Sequence, residues 1–254
     1  MRNFVVTTSH KPDREQVMKA KELAEKLGTI YVSRRRLKEF KVDFYYVVEK
    51  NRISIKWPGG EFFFHPSSAI LRMRNIRSGQ KDYLIESLQP EGSELVLDTT
   101  FGLGSEAILM AAFLPEGKVI GLEGSIHIYT VVKYGMENFE TDIRCLKDAL
   151  KRIELYHANF KEYIRSQPDN SFDVVYCDPM FENPVYESSA MNPLRPFAVY
   201  DTVNEEDIEE MLRIAKKKVI LKSHVKDSLF KRIRVDELKG SRKSGVLYGV
   251  IHKR

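Results

Sequence analysis

The sequence predicts an α/β fold, a largely parallel sheet with helices between its strands, preceded by a small N-terminal α/β domain at residues 1–61. Three observations predict it. Residues 94–108, ELVLDTTFGLGSEAI, read as a strand, a glycine turn and a helix start. From residue 78 onward, apolar runs of strand length alternate with helical patterns. The chain then closes with two strands, 232–238 and 246–252, joined by a Lys, Gly and Ser-rich turn, which places an antiparallel pair at the sheet edge.

The N-terminal elements follow in order. Phe4 to Thr8 reads as a strand. Asp13 to Leu27 reads as a helix with Val17, Ala20, Leu23, Ala24 and Leu27 on one face, stopped by Gly28. Thr29 to Val32 returns as a second strand. Phe44 to Val48 and Arg52 to Trp57 form a hairpin about Lys50 and Asn51, and Glu61 to Phe64 adds a strand after Pro58-Gly59-Gly60. The aromatic residues here, Tyr45, Tyr46, Trp57 and Phe62 to Phe64, are either a nucleic-acid platform or simply core.

In the second part, residues 62–254, Lys81 to Leu88 is a helix and 94–97, 118–122, 153–156, 172–177 and 218–222 are strands. An acidic helix covers 204–215. Ligands in such sheets lie at the carboxyl ends of the strands, where the strand order reverses. Asp98, Glu123, Asn159 and Asp178 all fall at such ends.

The glycine turn fits a nucleoside. Gly102 and Gly104 permit positive φ and close backbone approach, and the helix from Ser105 starts beneath the bound group. Glu123 closes the next strand, where an acid meets ribose hydroxyls. Ala107 stands where the third small residue of a dinucleotide fingerprint falls, so the count admits NAD. Asp98 favours S-adenosylmethionine instead, because a carboxylate repels a pyrophosphate but receives the amino group of a methionine moiety.

The run Val174-Val175-Tyr176-Cys177 leads into Asp178-Pro179-Met180-Phe181. An exocyclic aromatic amine is a poor nucleophile, since its lone pair is delocalised into the ring. The Asp178 carboxylate and the Pro179 carbonyl are two acceptors that draw it toward tetrahedral geometry, and Phe181 stacks on the base.

These segments, 94–108, Glu123 and VVYCDPMF at 174–181, resemble the class I S-adenosylmethionine-dependent methyltransferases. More narrowly, they resemble the family that methylates a guanine exocyclic amine in bacterial small-subunit ribosomal RNA, which carries the Asp-Pro-Met-Phe string. HPSSAILRMRNIRSGQKDYLIESL at 65–88 is similar to that family's basic approach to its cofactor domain, and VILKSHVKDSL at 219–229 to its later strand ending in a lysine. The resemblance implies a Rossmann-like, seven-stranded class I methyltransferase sheet and S-adenosylmethionine as cofactor. It implies a cofactor site of Asp98, Thr99, Gly102, Gly104, Glu123 and Asn159 and catalysis by Asp178, Pro179 and Phe181; Asn159, an amide beside Ala158, reads as either the adenine contact or a loop asparagine. Ribosomal RNA or the small ribosomal subunit is the implied partner. Glu182-Asn183-Pro184-Val185-Tyr186-Glu187 replaces the basic loop that follows in the family, leaving the target nucleotide open. DNA adenine, protein glutamine, a small amine and a cofactor-binding module without turnover stay open beside it.

Composition agrees. The net charge of +5 permits a polyanionic partner. The cations Arg34, Arg35, Arg36, Arg72, Arg74 and Lys222 are the expected RNA contacts, or else a solvated face. Cys145 and Cys177 show no metal-ligand spacing, so neither a disulfide framework nor a zinc site is expected. The absence of a signal pattern and of a run of ~20 apolar residues gives the expectation of a cytoplasmic protein.

Overall fold

A computed structural model of the chain describes residues 3–179, 193–241 and 245–254. They divide into two compact units. One holds the residues up to His65 together with Thr130–Glu140 and 193–196; the other holds Pro66–Tyr129, residues 141–179 and the described residues from Phe197 onward.

In the first unit, β1 (Phe4–Thr8) pairs in parallel with β2 (Phe44–Val48), which continues antiparallel through β3 (Ile53–Trp57) to β4 (Gly60–Phe63). The helix α1 (Arg14–Lys26) begins with a capping box in which Asp13 and Gln16 bond each other's backbone N–H, and it buries Ala20, Leu23 and Ala24. Gly28, at φ +65°, reverses the chain where a Cβ is disfavoured. The strand expected over 29–32 is reduced to one bridge, Tyr31 to Val6, because the chain turns at once and Arg36 N–H bonds the Ser33 carbonyl. Phe44, Tyr46 and Phe62 are fully buried, so these aromatics are core.

In the second unit, the helices α2 (Ser67–Arg77) and α3 (Tyr83–Leu88) precede the sheet. Then follow β5 (Leu95–Asp98), α4 (Ser105–Ala112), β6 (Lys118–Glu123), α5 (Ile126–Asn138, whose residues from Thr130 belong to the first unit), α6 (Arg144–Lys151), β7 (Ile153–His157), α7 (Phe160–Ser166) and β8 (Phe172–Cys177). The chain ends with α8 (Glu205–Ile214), β9 (Ala215–His224), α9 (Leu229–Arg232), β10 (Glu237–Ser241) and β11 (Val246–His252). The sheet has seven strands in the order β10-β11-β9-β8-β5-β6-β7. Strands β9, β8, β5, β6 and β7 are parallel; β11 runs antiparallel between β9 and β10. This is the class I methyltransferase arrangement, and its strand order reverses between β5 and β8.

Helix α2 stands where the sequence offered only a basic approach, since Ala69 and Met73 are its only buried positions. The last hairpin starts at Glu237 rather than residue 232 because Leu229–Arg232 coils into α9. The core on one face joins Leu97, Val175, Cys177, Val219 and Leu221 to Ile208, Met211 and Ile214 of α8. Each such side chain contributes about 1.5–3 kcal/mol by leaving water. Among the described residues, no helix is long and apolar enough to cross a membrane.

Candidate active site

The strand order β8-β5-β6-β7 sets four polar residues side by side at the carboxyl ends of the sheet. Asp98 is the last residue of β5, Glu123 the last of β6, Asn159 follows β7 by two residues and Asp178 follows β8 by one.

The turn after β5 is stitched to its neighbours. Thr99 N–H and hydroxyl both donate to the Tyr176 carbonyl of β8, at 2.9 and 3.0 Å. Phe101 N–H donates to the Leu122 carbonyl of β6 at 2.9 Å. Gly104, at φ +73°, lies against the Phe101 ring: a Cβ there would come within 2.5 Å of Phe101 Cε1. Gly121 abuts the same ring from β6, where a Cβ would fall 2.1 Å from Cδ2. Two glycines thus seat one phenylalanine, which shapes the turn over the start of α4.

The two acids of the turn differ in environment. Asp98 is fully buried and accepts the Thr100 N–H at 3.0 Å. Burial holds its carboxyl well above the ordinary carboxylate range, and the nearby Glu106 and Asp178 add to this. Glu123 accepts Gly102 N–H at 3.0 Å and Ser125 N–H at 2.7 Å. Burial nevertheless pushes its carboxyl up to about 7. The positive-φ glycines and these two carboxyls suit S-adenosylmethionine: Glu123 would hold ribose hydroxyls, and Asp98 the amino group of the methionine part.

Asp178 is held from two sides. Its N–H donates to Thr100 Oγ1 at 2.6 Å, which ties the end of β8 to the glycine turn. Its Oδ2 accepts Lys222 Nζ at 2.7 Å. Lys222, on β9, also donates to Glu106 Oε1 at 3.1 Å, and that oxygen accepts Arg72 Nη1 at 3.0 Å. Arg72, from α2, grips Asp82 with Nε at 2.8 Å and Nη2 at 2.9 Å. Arg72 Nη2 reaches the Tyr248 hydroxyl of β11 at 3.4 Å.

Burial disfavours every charge in this network, and the partners decide the outcome. It would raise Glu106, but Lys222 and Arg72 bring that carboxyl down to about 2. It would lower Lys222, but Asp178 and Glu106 hold the ammonium well above its ordinary value. Asp178 stays raised by burial against the pull of Lys222. Cys177, fully buried in β8, is pushed up to about 12 by burial, a thiol rather than a nucleophile.

Several expected residues take other places. Arg72 and Lys222, expected on a phosphate path, bond carboxylates within the fold, with side chains only 20% and 14% exposed. Asn159, expected at the adenine, caps α7 by accepting Lys161 N–H at 2.9 Å, and donates from Nδ2 to Asp201 Oδ2 at 3.0 Å. Arg74 is exposed on α2. Arg34 lies over the Tyr45 ring at 5.3 Å, Arg35 is exposed, and Arg36 pairs with Glu39 at 3.0 Å. Phe181 and Met180 lie outside the described residues. Thr100, Asp82, Glu106, Tyr248 and Asp201 were not anticipated. For Glu106 a signal existed, a lone charge in the otherwise apolar helix SEAILMAA.

The comparisons with known proteins agree with this geometry. The family model described as "Putative SAM-dependent methyltransferase" matches residues 63–235. Protein YpiP of Bacillus subtilis (strain 168) is 35% identical over 97% of this chain and 98% of its own length. Ribosomal RNA small subunit methyltransferase J of Francisella tularensis subsp. novicida is 28% identical over 56% of this chain, a match spanning 58% of that protein. The crystal structure of the SAM-dependent methyltransferase NGO1261 from Neisseria gonorrhoeae superposes with a TM-score of 0.68 at 16% identity, covering 98% of this chain and 95% of that one. That last likeness is one of fold. Taken with the seven-stranded sheet and the carboxyls at the carboxyl ends of its strands, the match over residues 63–235 shows that the chain belongs to this family of S-adenosylmethionine-dependent methyltransferases.

Proposed function

We propose that this methyltransferase methylates an exocyclic amine, the N2 of a guanine in ribosomal RNA. The observation that carries the reading is the placement of Asp178 one residue beyond β8, beside the strand that ends in Asp98 and the glycine turn. S-adenosylmethionine, when bound, supplies an activated methyl group. The protein's part is to make the amine a nucleophile. Asp178 and the Pro179 carbonyl accept its two N–H bonds, draw the lone pair out of conjugation and face the positive charge that develops on nitrogen. As the N–C bond forms the methyl–sulfur bond would break, S-adenosylhomocysteine would be the leaving group, and the proton would pass late to Asp178 or to water, since the methylated amine is strongly acidic. Phe181 is the proposed stacking partner of the base.

Ribosomal RNA as the substrate is supported by the partial match to ribosomal RNA small subunit methyltransferase J. The proposed phosphate contacts are Arg34, Arg35 and Arg36 of the first unit and Arg74 of α2. Arg72 and Lys222 leave that list, because a cation already bonded to two carboxylates neutralises little of a phosphate's charge.

The test is labelled methyl transfer from S-adenosylmethionine to small ribosomal subunits, naked ribosomal RNA, DNA and a panel of small amines. Incorporation into ribosomal RNA, recovered as N2-methylguanine after nuclease digestion, is the expected result. Label appearing only in DNA, protein or a small amine sinks the RNA reading, and label on oxygen or carbon sinks the amine reading.

A further inference from the structure

We infer that Asp201, and not Asn159, selects the adenine ring of the cofactor by accepting its 6-amino group. The inference rests on the proposed placement of the ribose at Glu123.

Asn159 is in the right place but has the wrong atoms left over. Its Oδ1 is committed to the first turn of α7, accepting Lys161 N–H at 2.9 Å and Glu162 N–H at 3.4 Å. Its Nδ2 is a donor and points to Asp201 Oδ2 at 3.0 Å. A donor cannot receive an amine. The contact hands the task to the carboxylate that Asn159 holds.

Asp201 is held against the cofactor edge of the sheet by its own segment. Phe197 packs edge-on to His127, with ring centroids 5.9 Å apart. Val199 lies against Gly124, whose added Cβ would stand 3.6 Å from Val199 Cγ2. Gly124 directly follows Glu123, and its carbonyl meets His157 Nε2 at 3.1 Å. The segment 197–201 is therefore fixed to the residues just after β6 and β7, with Val199 against the residue that follows the acid assigned to the ribose and Asp201 against the residue that follows β7 by two.

A carboxylate at this point is an acceptor only. It bonds the 6-amino group of adenine and repels the 6-carbonyl of hypoxanthine. A charge-assisted bond of this kind corresponds to roughly tenfold to hundredfold in affinity. An amide at the same position accepts from Asn159 with its oxygen and donates with its nitrogen, which suits a carbonyl.

The experiment is calorimetric binding of S-adenosylhomocysteine and S-inosylhomocysteine to the full chain and to the Asp201→Asn, Asp201→Ser and Glu123→Ala variants, with melting curves to establish folding. The wild type is expected to prefer the adenine ligand by roughly tenfold or more. Asp201→Asn is expected to weaken it and strengthen the inosine ligand, so that the preference shrinks about tenfold; Asp201→Ser shrinks it through the adenine ligand alone. Glu123→Ala is expected to weaken both ligands alike. Folded Asp201 variants that keep the wild-type preference overturn the inference while leaving the cofactor site in place. A Glu123→Ala variant that binds as tightly as wild type removes the site itself, and the inference with it.

Discussion

Lys222 Nζ stands 2.7 Å from Asp178 Oδ2 and 3.1 Å from Glu106 Oε1, so one ammonium joins the residue proposed to meet the substrate to α4, the helix that follows the glycine turn. Burial and charge oppose each other at this pair. The ammonium is held charged, and the carboxyl is protonated more readily than an exposed aspartate.

Replacing Asp178 by Ala removes the acceptor proposed to act on the amine as charge develops. Methyl transfer is expected to fall by roughly a hundredfold or more, with the dissociation constant of S-adenosylhomocysteine changed only a few-fold. Single-turnover transfer and calorimetry measure the two. Transfer at near wild-type rate refutes the assignment.

Lys222→Met leaves two mostly buried carboxylates with one cation fewer. The fold is expected to lose about 3 kcal/mol, read in the melting temperature. Asp178 then rises further, and since the ionised form is the acceptor, activity is lost on acidification at a higher pH than in wild type. The acid limb of kcat/KM against pH shifts upward, and Lys222→Arg restores it in part. An unmoved limb in Lys222→Met shows that the lysine does not set the state of Asp178.

With the ribose at Glu123, as proposed, cofactor binding is expected to couple to pH. Its carboxyl is pushed up from 4.5 to about 7 by burial. A raised acid favours the folded state while protonated, so as pH climbs from the unfolded value toward 7 the cofactor-free fold loses about 3 kcal/mol at this group. Ribose hydroxyls donate to the ionised form, so S-adenosylhomocysteine affinity is expected to rise with pH up to about 7 and then level, with a proton released on binding near neutrality. Calorimetry in two buffers of different ionisation enthalpy reads that proton; uptake instead of release contradicts the role.

Gly104→Val is expected to abolish S-adenosylhomocysteine binding. The residue sits at φ +73°, and its first added carbon would meet the Phe101 ring at 2.5 Å. The ring must move, and the turn with it. Binding within a few-fold of wild type places the cofactor elsewhere.

Reversing Arg34, Arg35 and Arg36 to Glu is expected to weaken RNA binding and lower the magnitude of the log-log salt slope by about one for each phosphate no longer neutralised. The effect is expected to be similar for unrelated RNAs, since phosphate contacts position without specifying sequence. Filter binding at several salt concentrations measures it. An unchanged slope leaves the triplet as a solvated face.

Strands β5, β6 and β8 were legible because each is a short apolar run that ends at an acid, whereas β10, ELKGS, has no apolar run to mark it. Asp98, Glu123 and Asp178 were legible as strand-end acids for the same reason. The network that reaches Asp178 through Lys222 was not. Arg72, Asp82, Glu106, Lys222 and Tyr248 come from α2, the cap of α3, α4, β9 and β11, and no local spacing relates them. Arg72 and Lys222 read as surface cations because a sequence shows charge but not the carboxylates that fold against it. Asn159 was legible as a polar residue just after β7, but whether an amide aims outward or caps its own helix depends on the next turn of backbone.

The hydrogen bond from Asp178 to Thr100 spans 78 residues. At a synthesis rate of about 5–20 residues per second, the glycine turn leaves the ribosome on the order of 4–15 s before the aspartate that closes on it. Lys222 and Tyr248, on β9 and β11, emerge later still. A nascent chain therefore carries the glycine turn well before it carries the residues that hold Asp178 in place. On the proposed role of Asp178, chemistry waits for the far edge of the sheet, and an interrupted chain is expected to be catalytically silent.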